Sequence, residues 1–240
     1  MLFLAAFAAS AADPQRPQPL KSGIEFAGES ARKLQADDFA NPGMLWVERG
    51  AKLWSEAAGV NGKSCAGCHG DAATSMKGVA ARRVDVEGRI NLCREKNQQA
   101  APLKLESDEL LALTAYVAHQ SRGMPVAVTI DAQNRTSFER GRNRYQTRIG
   151  QMNLACTHCH DQNWGKKLAA ETISQGHGNG YPAYRLEWQS VGSLARRIRA
   201  CYYGVRAEMP PYGAQELLDL QLYLGWRAGG LPVETPGVRR

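Results

Sequence analysis

CAGCH, residues 65–69, returns 91 positions later as CTHCH, residues 156–160 (156 − 65 = 91). The tripeptide ERG repeats at the same offset, at 48–50 and 139–141. A fixed offset between two different patterns indicates an internal repeat rather than a chance match. The sequence therefore predicts two tandem units, each with a helix before its C-x-x-C-H motif.

The segments that close the two units also match. LLALTAYVAHQSRGMPV at 110–126 corresponds to LLDLQLYLGWRAGGLPV at 217–233, at an offset of 107 (217 − 110). A lone cysteine precedes each segment, Cys93 in the first unit and Cys201 in the second. The larger offset places 16 additional residues (107 − 91) in the second unit, and we expect the glycine-containing segment 168–190 to supply them.

The first helix of each unit carries a glycine followed four residues later by an aromatic residue, Gly50 with Trp54 and Gly141 with Tyr145. Positions i and i+4 share one face of a helix. We expect each glycine to admit a closely crossing helix, with the aromatic side chain filling the adjacent space. These patterns predict a mainly α-helical protein.

The C-x-x-C-H motif is the attachment signature of c-type haem. Its two thiols add to the haem vinyl groups, and the adjacent histidine is then held beneath the iron as an axial ligand. The knuckles of a zinc ribbon are about 15–20 residues apart, whereas 87 residues separate Cys68 from Cys156 (156 − 68 − 1). We therefore predict two covalently bound haem c groups, attached through Cys65 and Cys68 and through Cys156 and Cys159, with His69 and His160 as axial ligands.

Two haem-binding units define the predicted domain organisation, with cytochrome c-like domains at residues 40–131 and 132–240. Residues 1–12, MLFLAAFAASAA, form an apolar run that ends in small residues, as a signal peptide does. The run lacks a positive n-region, so it is interpreted as a clipped signal or as the result of a late start codon, and a buried apolar strand or helix is the rival interpretation. Residues 13–39 then form an N-terminal extension, and the mature protein is predicted to be periplasmic.

Charge and hydropathy limit the kinds of partner. The 240-residue chain has a formal net charge of +7 and an isoelectric point near 9.2, which favours anionic partners. It carries no helix-turn-helix, zinc-finger or RNA-binding signature, so no nucleic-acid partner is predicted. No later run reaches the roughly 18 apolar residues of a membrane span.

These patterns do not decide which residue is the second axial ligand of each iron. Met209, in RAEMPPY, lies before the last helix and is the kind of ligand used by electron-carrying cytochromes c. The first unit has no methionine at the matching place, whereas Cys93 and Cys201 occur in both units, which favours thiolate ligation. A disulfide between Cys93 and Cys201 is a further alternative in an oxidising compartment.

The stretch R-x-x-x-C-Y-Y-G-V-R-A-E at 197–208, together with two C-x-x-C-H motifs each followed by a lone cysteine, resembles the SoxA family of bacterial thiosulfate oxidation. The resemblance covers roughly residues 40–233. It implies a haem subunit that pairs with a small cytochrome, SoxX, and couples thiosulfate to a cysteine of the carrier SoxYZ. The implied activity is that of an L-cysteine S-thiosulfotransferase.

The same resemblance implies residue roles. Cys201 matches the ligand of the active-site haem, which in the family is modified to a persulfide, Arg197 matches the substrate-binding arginine, and Cys93 matches the distal ligand of the other haem. If 192–200 is helical, Arg197 and Cys201 lie on one face. The competing functions are a plain dihaem electron carrier that uses Met209, a dihaem peroxidase, and a thiosulfate-binding subunit without catalysis.

Overall fold

The structure, a computed structural model, describes residues 16–240, so the predicted signal peptide at 1–12 lies outside the described residues. Helices are its main secondary structure, as expected. In chain order they are α1 (Glu29–Ala36), α2 (Met44–Ser55), α3 (Cys65–His69), α4 (Ala72–Ser75), α5 (Val79–Arg82), α6 (Val86–Cys93), α7 (Asp108–His119), α8 (Arg135–Gln146), α9 (Cys156–His160), α10 (Leu194–Gly204) and α11 (Gln215–Arg227). A 3-10 helix at Gly23–Phe26 precedes α1, and a π-helical turn at Arg94–Gln98 follows α6.

Two pairs of long helices cross at glycine, as the sequence pattern predicts. Helix α2 packs on α7, where a Cβ atom at Gly50 would lie 2.1 Å from the carbonyl oxygen of Ala112. Helix α8 packs on α11, where a Cβ atom at Gly141 would lie 2.0 Å from the carbonyl oxygen of Asp219. Only glycine therefore allows these backbones to approach so closely.

Aromatic side chains fill the space beside each crossing. The rings of Trp54 and Tyr116 are 5.9 Å apart, and those of Tyr145 and Tyr223 are 5.1 Å apart. Both distances are typical of favourable aromatic pairs. Each C-x-x-C-H helix packs on the first helix of its pair, α3 on α2 and α9 on α8, so the crossings position the motifs.

Five short strands lie in the C-terminal half and were not predicted from the sequence. Strands β1 (Lys167–Leu168) and β2 (Glu171–Thr172) form an antiparallel pair. Strand β3 (Ala183–Arg185) pairs antiparallel with β4 (Ser190–Gly192) and parallel with β5 (Gly237–Arg239). Strands of two or three residues are too short to show an alternating pattern, and β5 reaches β3 only through tertiary packing.

The additional segment 168–190 lies at this sheet and against α9 and α10. It contains β2, β3 and the turn into β4. No helix within residues 16–240 combines the length and the apolar character that crossing a bilayer requires.

We expect the substitution Gly141→Ala to destabilise the protein by about 1–3 kcal/mol, the usual cost of overpacking. The new methyl group would collide with backbone at Asp219, which cannot move aside as a flexible side chain can. The intrinsic helix preference for alanine is worth about 1 kcal/mol at most and would not compensate. Thermal unfolding measures the effect.

The matched control is Gly204→Ala, because a Cβ atom there meets nothing within 4 Å. An unfolding temperature that is equal for the two variants would contradict the close crossing.

Candidate functional site

The imidazole of His160 is fixed by one hydrogen bond. His160 ends α9, and its Nδ1 lies 2.8 Å from the carbonyl oxygen of Ser174. Because a carbonyl oxygen can only accept, Nδ1 carries the ring proton and donates it. The remaining nitrogen, Nε2, keeps a lone pair, which is the state that an iron-ligating imidazole requires.

A glycine forms the wall behind this ring. Gly176 has φ of 75°, in the left-handed region that favours glycine. A Cβ atom at Gly176 would lie 2.8 Å from Cγ of His160, so any larger residue would displace the imidazole. The additional segment therefore accepts a hydrogen bond from the His160 ring and also packs against the face of that ring.

Helix α10 presents the opposite side of the site. Ser193 caps its first turn by accepting a hydrogen bond from the amide of Arg196 at 3.0 Å. The helix then carries Arg197 and Cys201 four residues apart, on one face, as the sequence predicted. The substrate-binding and ligand candidates are thus held by one rigid element.

The sulfur of Cys201 meets His160 and two arginines. Burial alone would raise the pKa of its thiol. Arg197 opposes burial most strongly, followed by a hydrogen bond shared with the His160 side chain and then the charge of Arg185, and the pKa falls to about 7. The thiolate is the form of cysteine that binds metals and acts as a nucleophile.

The neighbouring C-x-x-C thiols behave in the opposite way. Burial, and then the negative sulfur of Cys201, raise the pKa of Cys156 to about 12 and also raise the pKa of Cys159. These effects show that Cys156, Cys159 and Cys201 lie close together. Within this one pocket, two thiols therefore remain protonated, while the third favours the thiolate form.

The charge of Arg197 interacts with the sulfur of Cys201 and with nearby polar side chains. The negative sulfur of Cys201 raises the pKa of Arg197 and outweighs burial, with smaller contributions from Tyr181, Glu171 and Glu187. Its guanidinium is therefore charged. The charged guanidinium of Arg197 therefore acts on the same Cys201 sulfur that faces His160.

Arg185 is a second cation at the site that sequence reasoning missed. It is 4% exposed, donates to Glu187 at 2.7 Å and lies 3.4 Å from the hydroxyl of Tyr181. Its only sequence signal is an arginine inside the additional segment. Because Glu187 already pairs with it, Arg185 contributes to the field at Cys201 but is less available to a new anion.

The other arginines of the segment 196–206 have separate environments. Arg196 lies over the ring of Trp188 at 4.1 Å, and Arg199 lies over Tyr212 at 4.3 Å. Arg206 is exposed and has φ of 56°. Arg197 is therefore the arginine that α10 directs at the sulfur.

The first C-x-x-C-H motif is more open. Cys65 is half-buried, whereas Cys68 and His69 are exposed. Cys93 ends α6 immediately before the π-helical turn and lies close enough to Cys65 to raise its pKa, after burial as the main cause. The structure thus brings Cys93 to its own motif, and the ring of His69 lies 5.8 Å from that of Trp54.

Two alternatives drawn from the sequence, a disulfide between Cys93 and Cys201 and Met209 as an axial ligand, disagree with this geometry. All six cysteines are free, and Cys93 and Cys201 lie beside different motifs, so the disulfide alternative is wrong. Met209 is 41% exposed, while Cys201 already faces His160.

The residues around His160 fit a haem c group. Two thiols are available for thioether bonds, one imidazole has its Nε2 free, and a thiolate-forming cysteine faces it. Apolar and aromatic side chains that pack with Cys156 surround these groups: Ile198, Tyr202, Leu217, Leu220, Tyr223 and Leu224.

Comparisons with known proteins agree with this interpretation. The family model of the SoxA/TsdA cytochrome c domain matches residues 49–126. The chain is 45% identical to the L-cysteine S-thiosulfotransferase subunit SoxA of Pseudaminobacter salicylatoxidans, over 91% of this chain and 80% of that protein. It is 36% identical to the SoxA subunit of Rhodovulum sulfidophilum, over 92% of this chain and 80% of that protein.

A solved structure has the same fold. The crystal structure of SoxXA from P. pantotrophus aligns with a TM-score of 0.88 at 37% identity, covering 92% of this chain and 87% of that chain. A cytochrome c fold, with covalently bound haem c, follows for the present chain.

We expect Met209→Leu to leave the absorption and electron paramagnetic resonance spectra of the ferric protein unchanged, because Met209 is exposed and Cys201 faces His160. Cys201→Met, in contrast, should introduce the near-infrared absorption of iron–thioether ligation. Loss of such a band in the Met209 variant would identify methionine, rather than thiolate, as the distal ligand.

Proposed function

The chain belongs to the SoxA family of L-cysteine S-thiosulfotransferase subunits, and we propose that it catalyses the oxidative coupling of thiosulfate to a cysteine of the carrier protein SoxYZ. Electrons from this coupling pass to a partner cytochrome. The observation that carries the proposal is the placement of Arg197 and Cys201 on one face of α10, with the sulfur of Cys201 facing His160.

In this proposal the chain comprises two tandem cytochrome c-like domains, at residues 40–131 and 132–240, with one haem c in each. Bound haem supplies a one-electron acceptor beside the reacting sulfur atoms. The residues that hold the groups are Cys65, Cys68, His69 and Cys93 for the first, and Cys156, Cys159, His160 and Cys201 for the second.

Thiosulfate binds at Arg197. The substrate is a small dianion whose sulfonate-like oxygens match the two parallel N–H groups of a guanidinium. Arg197 is held within α10 and partly buried, so its hydrogen bonds to an anion are stronger than they would be at an open surface. Its position one helical turn before Cys201 brings the bound anion to the reacting sulfur.

The coupling forms one sulfur–sulfur bond. The terminal sulfur of thiosulfate bonds to the sulfur of the carrier cysteine, whose thiol loses its proton to water. Two electrons leave the pair of sulfur atoms, and the product carries one negative charge where the substrate carried two. A bound haem would accept these electrons one at a time, and the partner cytochrome would take them up.

Cys201 acts in this scheme as a cysteine persulfide. Persulfidation is a reversible modification of reactive cysteines and depends on thiolate character. The lowered pKa of Cys201 beside Arg197 supports this assignment, because a thiolate can attack the outer sulfur of thiosulfate, break its S–S bond and release sulfite, which leaves the persulfide with no change in electron count.

The partner is a SoxX-type monohaem cytochrome that forms a heterodimer with this chain. The fold alignment with the SoxXA crystal structure supports such a pairing. The apolar run at 1–12 supports export to the periplasm. The exposed edge at Cys68 and His69 supports an electron-relay role for the first haem.

A plain dihaem electron carrier is the less supported function. It requires neither a cation at the distal sulfur nor a thiolate, yet Arg197 and Arg185 both act on Cys201. Met209, the distal ligand that this function requires, is also exposed.

Replacing Arg197 with glutamine should raise the KM for thiosulfate by about 10- to 100-fold, since one or two charge-assisted hydrogen bonds are lost. Arg197→Lys keeps the charge but loses the paired geometry, so its KM should lie between those of the other two proteins. Steady-state coupling to a carrier cysteine provides the measurement, with haem content checked for each variant.

Arg196→Gln is the matched control, because Arg196 is on the same helix but stacks on Trp188. Equal KM values for the two glutamine variants would show that Arg197 has no special role in binding the substrate.

The persulfide is tested separately by mass spectrometry. The peptide that contains Cys201 should exceed its sequence mass by one sulfur atom, and reductant should remove the excess. A peptide that contains Cys93 serves as the internal control and should carry no added sulfur. An unmodified Cys201 peptide from fully active protein would exclude a persulfide as the working form.

A further inference from the structure

We propose that Arg227 is a positioning residue for the imidazole of His160, acting through Asp161 and Gln175, and that it sets the reduction potential of the second haem apart from that of the first. The comparison between haems rests on the proposed function, which places one haem at each C-x-x-C-H motif. The positioning itself concerns contacts within the described residues.

Arg227 is a charge placed entirely inside the protein. It ends α11, and its side chain is 0% exposed. Burying an unpaired guanidinium costs several kcal/mol, so a buried arginine has to be balanced by its surroundings. Arg227 pairs through Nη2 with the carboxylate of Asp161, donates from Nη1 to the carbonyl oxygen of Gln175 at 2.8 Å, and lies 5.0 Å from the ring of Tyr145.

Both polar contacts lie next to the imidazole of His160. Asp161 directly follows His160 in the chain, and Gln175 directly follows Ser174, whose carbonyl oxygen accepts from Nδ1 of His160. One guanidinium therefore ties the backbone that carries the imidazole to the backbone that carries its acceptor. Moving either segment would lengthen the 2.8 Å contact between Nδ1 and the Ser174 oxygen.

Each segment is also held by a second contact. The hydroxyl of Tyr145 donates to Asp161 at 2.9 Å. The side chain of Gln175 accepts from the amide of Lys21 at 2.8 Å and donates to the carbonyl oxygen of Pro19 at 2.8 Å. Arg227 thus links two segments that are already restrained, and the imidazole lies at their junction.

The first motif has no equivalent of this link among residues 16–240. The position that matches Arg227 is Gln120 (227 − 107). Its side-chain amide donates to the carbonyl oxygen of Tyr116, four residues earlier, at 3.0 Å. The residue after His69 is Gly70, which has no side chain for a cation to hold. The additional segment that supplies Ser174 and Gln175 has no counterpart in the first unit.

This difference has an electronic consequence. An Nδ1–H group that donates to a carbonyl oxygen makes the opposite nitrogen a stronger donor of electron density. Stronger donation favours ferric over ferrous iron and so lowers the reduction potential. Loosening the contact by removing Arg227 should therefore raise the potential of the haem at His160 and leave that of the haem at His69 unchanged.

The test is a redox titration of the holoprotein in complex with its partner cytochrome, followed by electron paramagnetic resonance so that each haem is observed separately. Arg227→Gln copies Gln120 of the first unit. We expect the midpoint potential of the haem at His160 to rise, with the signal of the haem at His69 unmoved. Asp161→Asn should shift it in the same direction, and the double variant should shift it less than the sum of the two.

The matched control is Arg140→Gln. Arg140 also connects α8 to α11, through an ion pair with Asp219 at 2.6 Å, but neither residue contacts the segment around His160. We expect this variant to lose stability without moving either potential. A general loosening of the helix pair would instead shift potentials in both the Arg140 and Arg227 variants and would overturn the proposal.

Arg227→Lys covers the case in which the glutamine variant does not fold, because it keeps the buried charge beside Asp161. A shift in the same direction, smaller than that of Asp161→Asn, supports the proposal. Unchanged potentials in haem-loaded Arg227 variants, or equal shifts of both haems, would overturn it. Failure of the proposed function would be seen separately, as absence of thiosulfate coupling in the wild-type complex.

Discussion

The meeting of the Cys201 sulfur with the His160 imidazole is the contact on which the site depends. The two residues come from different helices, α9 and α10, separated by the additional segment and its sheet. The iron ligation by both residues that we propose would require these helices to keep a fixed separation and orientation. The glycine crossing of α8 and α11 supplies that rigidity, because two backbones in direct contact leave little freedom to shift.

Electrostatics then gives chemically identical side chains different roles. Burial keeps the thiols of Cys156 and Cys159 protonated, whereas Arg197 and His160 reverse the effect of burial at Cys201. One guanidinium thus distinguishes the two thiols proposed for haem attachment from the sulfur proposed as ligand. The same guanidinium is suited to hold an anion, so in the proposed function one residue would both lower the pKa of the Cys201 thiol and bind the substrate.

The two halves of the chain show how a repeated pattern diverges. Both have a glycine crossing, a C-x-x-C-H helix and a cysteine on a later helix. The N-terminal motif is exposed at Cys68 and His69. The C-terminal motif is covered by the additional segment, and Arg227 links that segment to Asp161. Covering excludes water and strengthens electrostatic interactions, which suits a site for chemistry, while an exposed haem edge suits electron exchange.

The sequence by itself determined the repeated motifs, the helix crossings at Gly50 and Gly141 and the helical pairing of Arg197 with Cys201, and it predicts the haem attachment residues. These features follow from spacing along the chain, which fixes relative positions within a helix or a short motif. Only the tertiary structure decided that Ser174 accepts from His160, that Arg185 acts on Cys201 and that Arg227 reaches Asp161. Those contacts join residues from distant parts of the chain, so they depend on how elements pack and leave no periodic signal in the sequence.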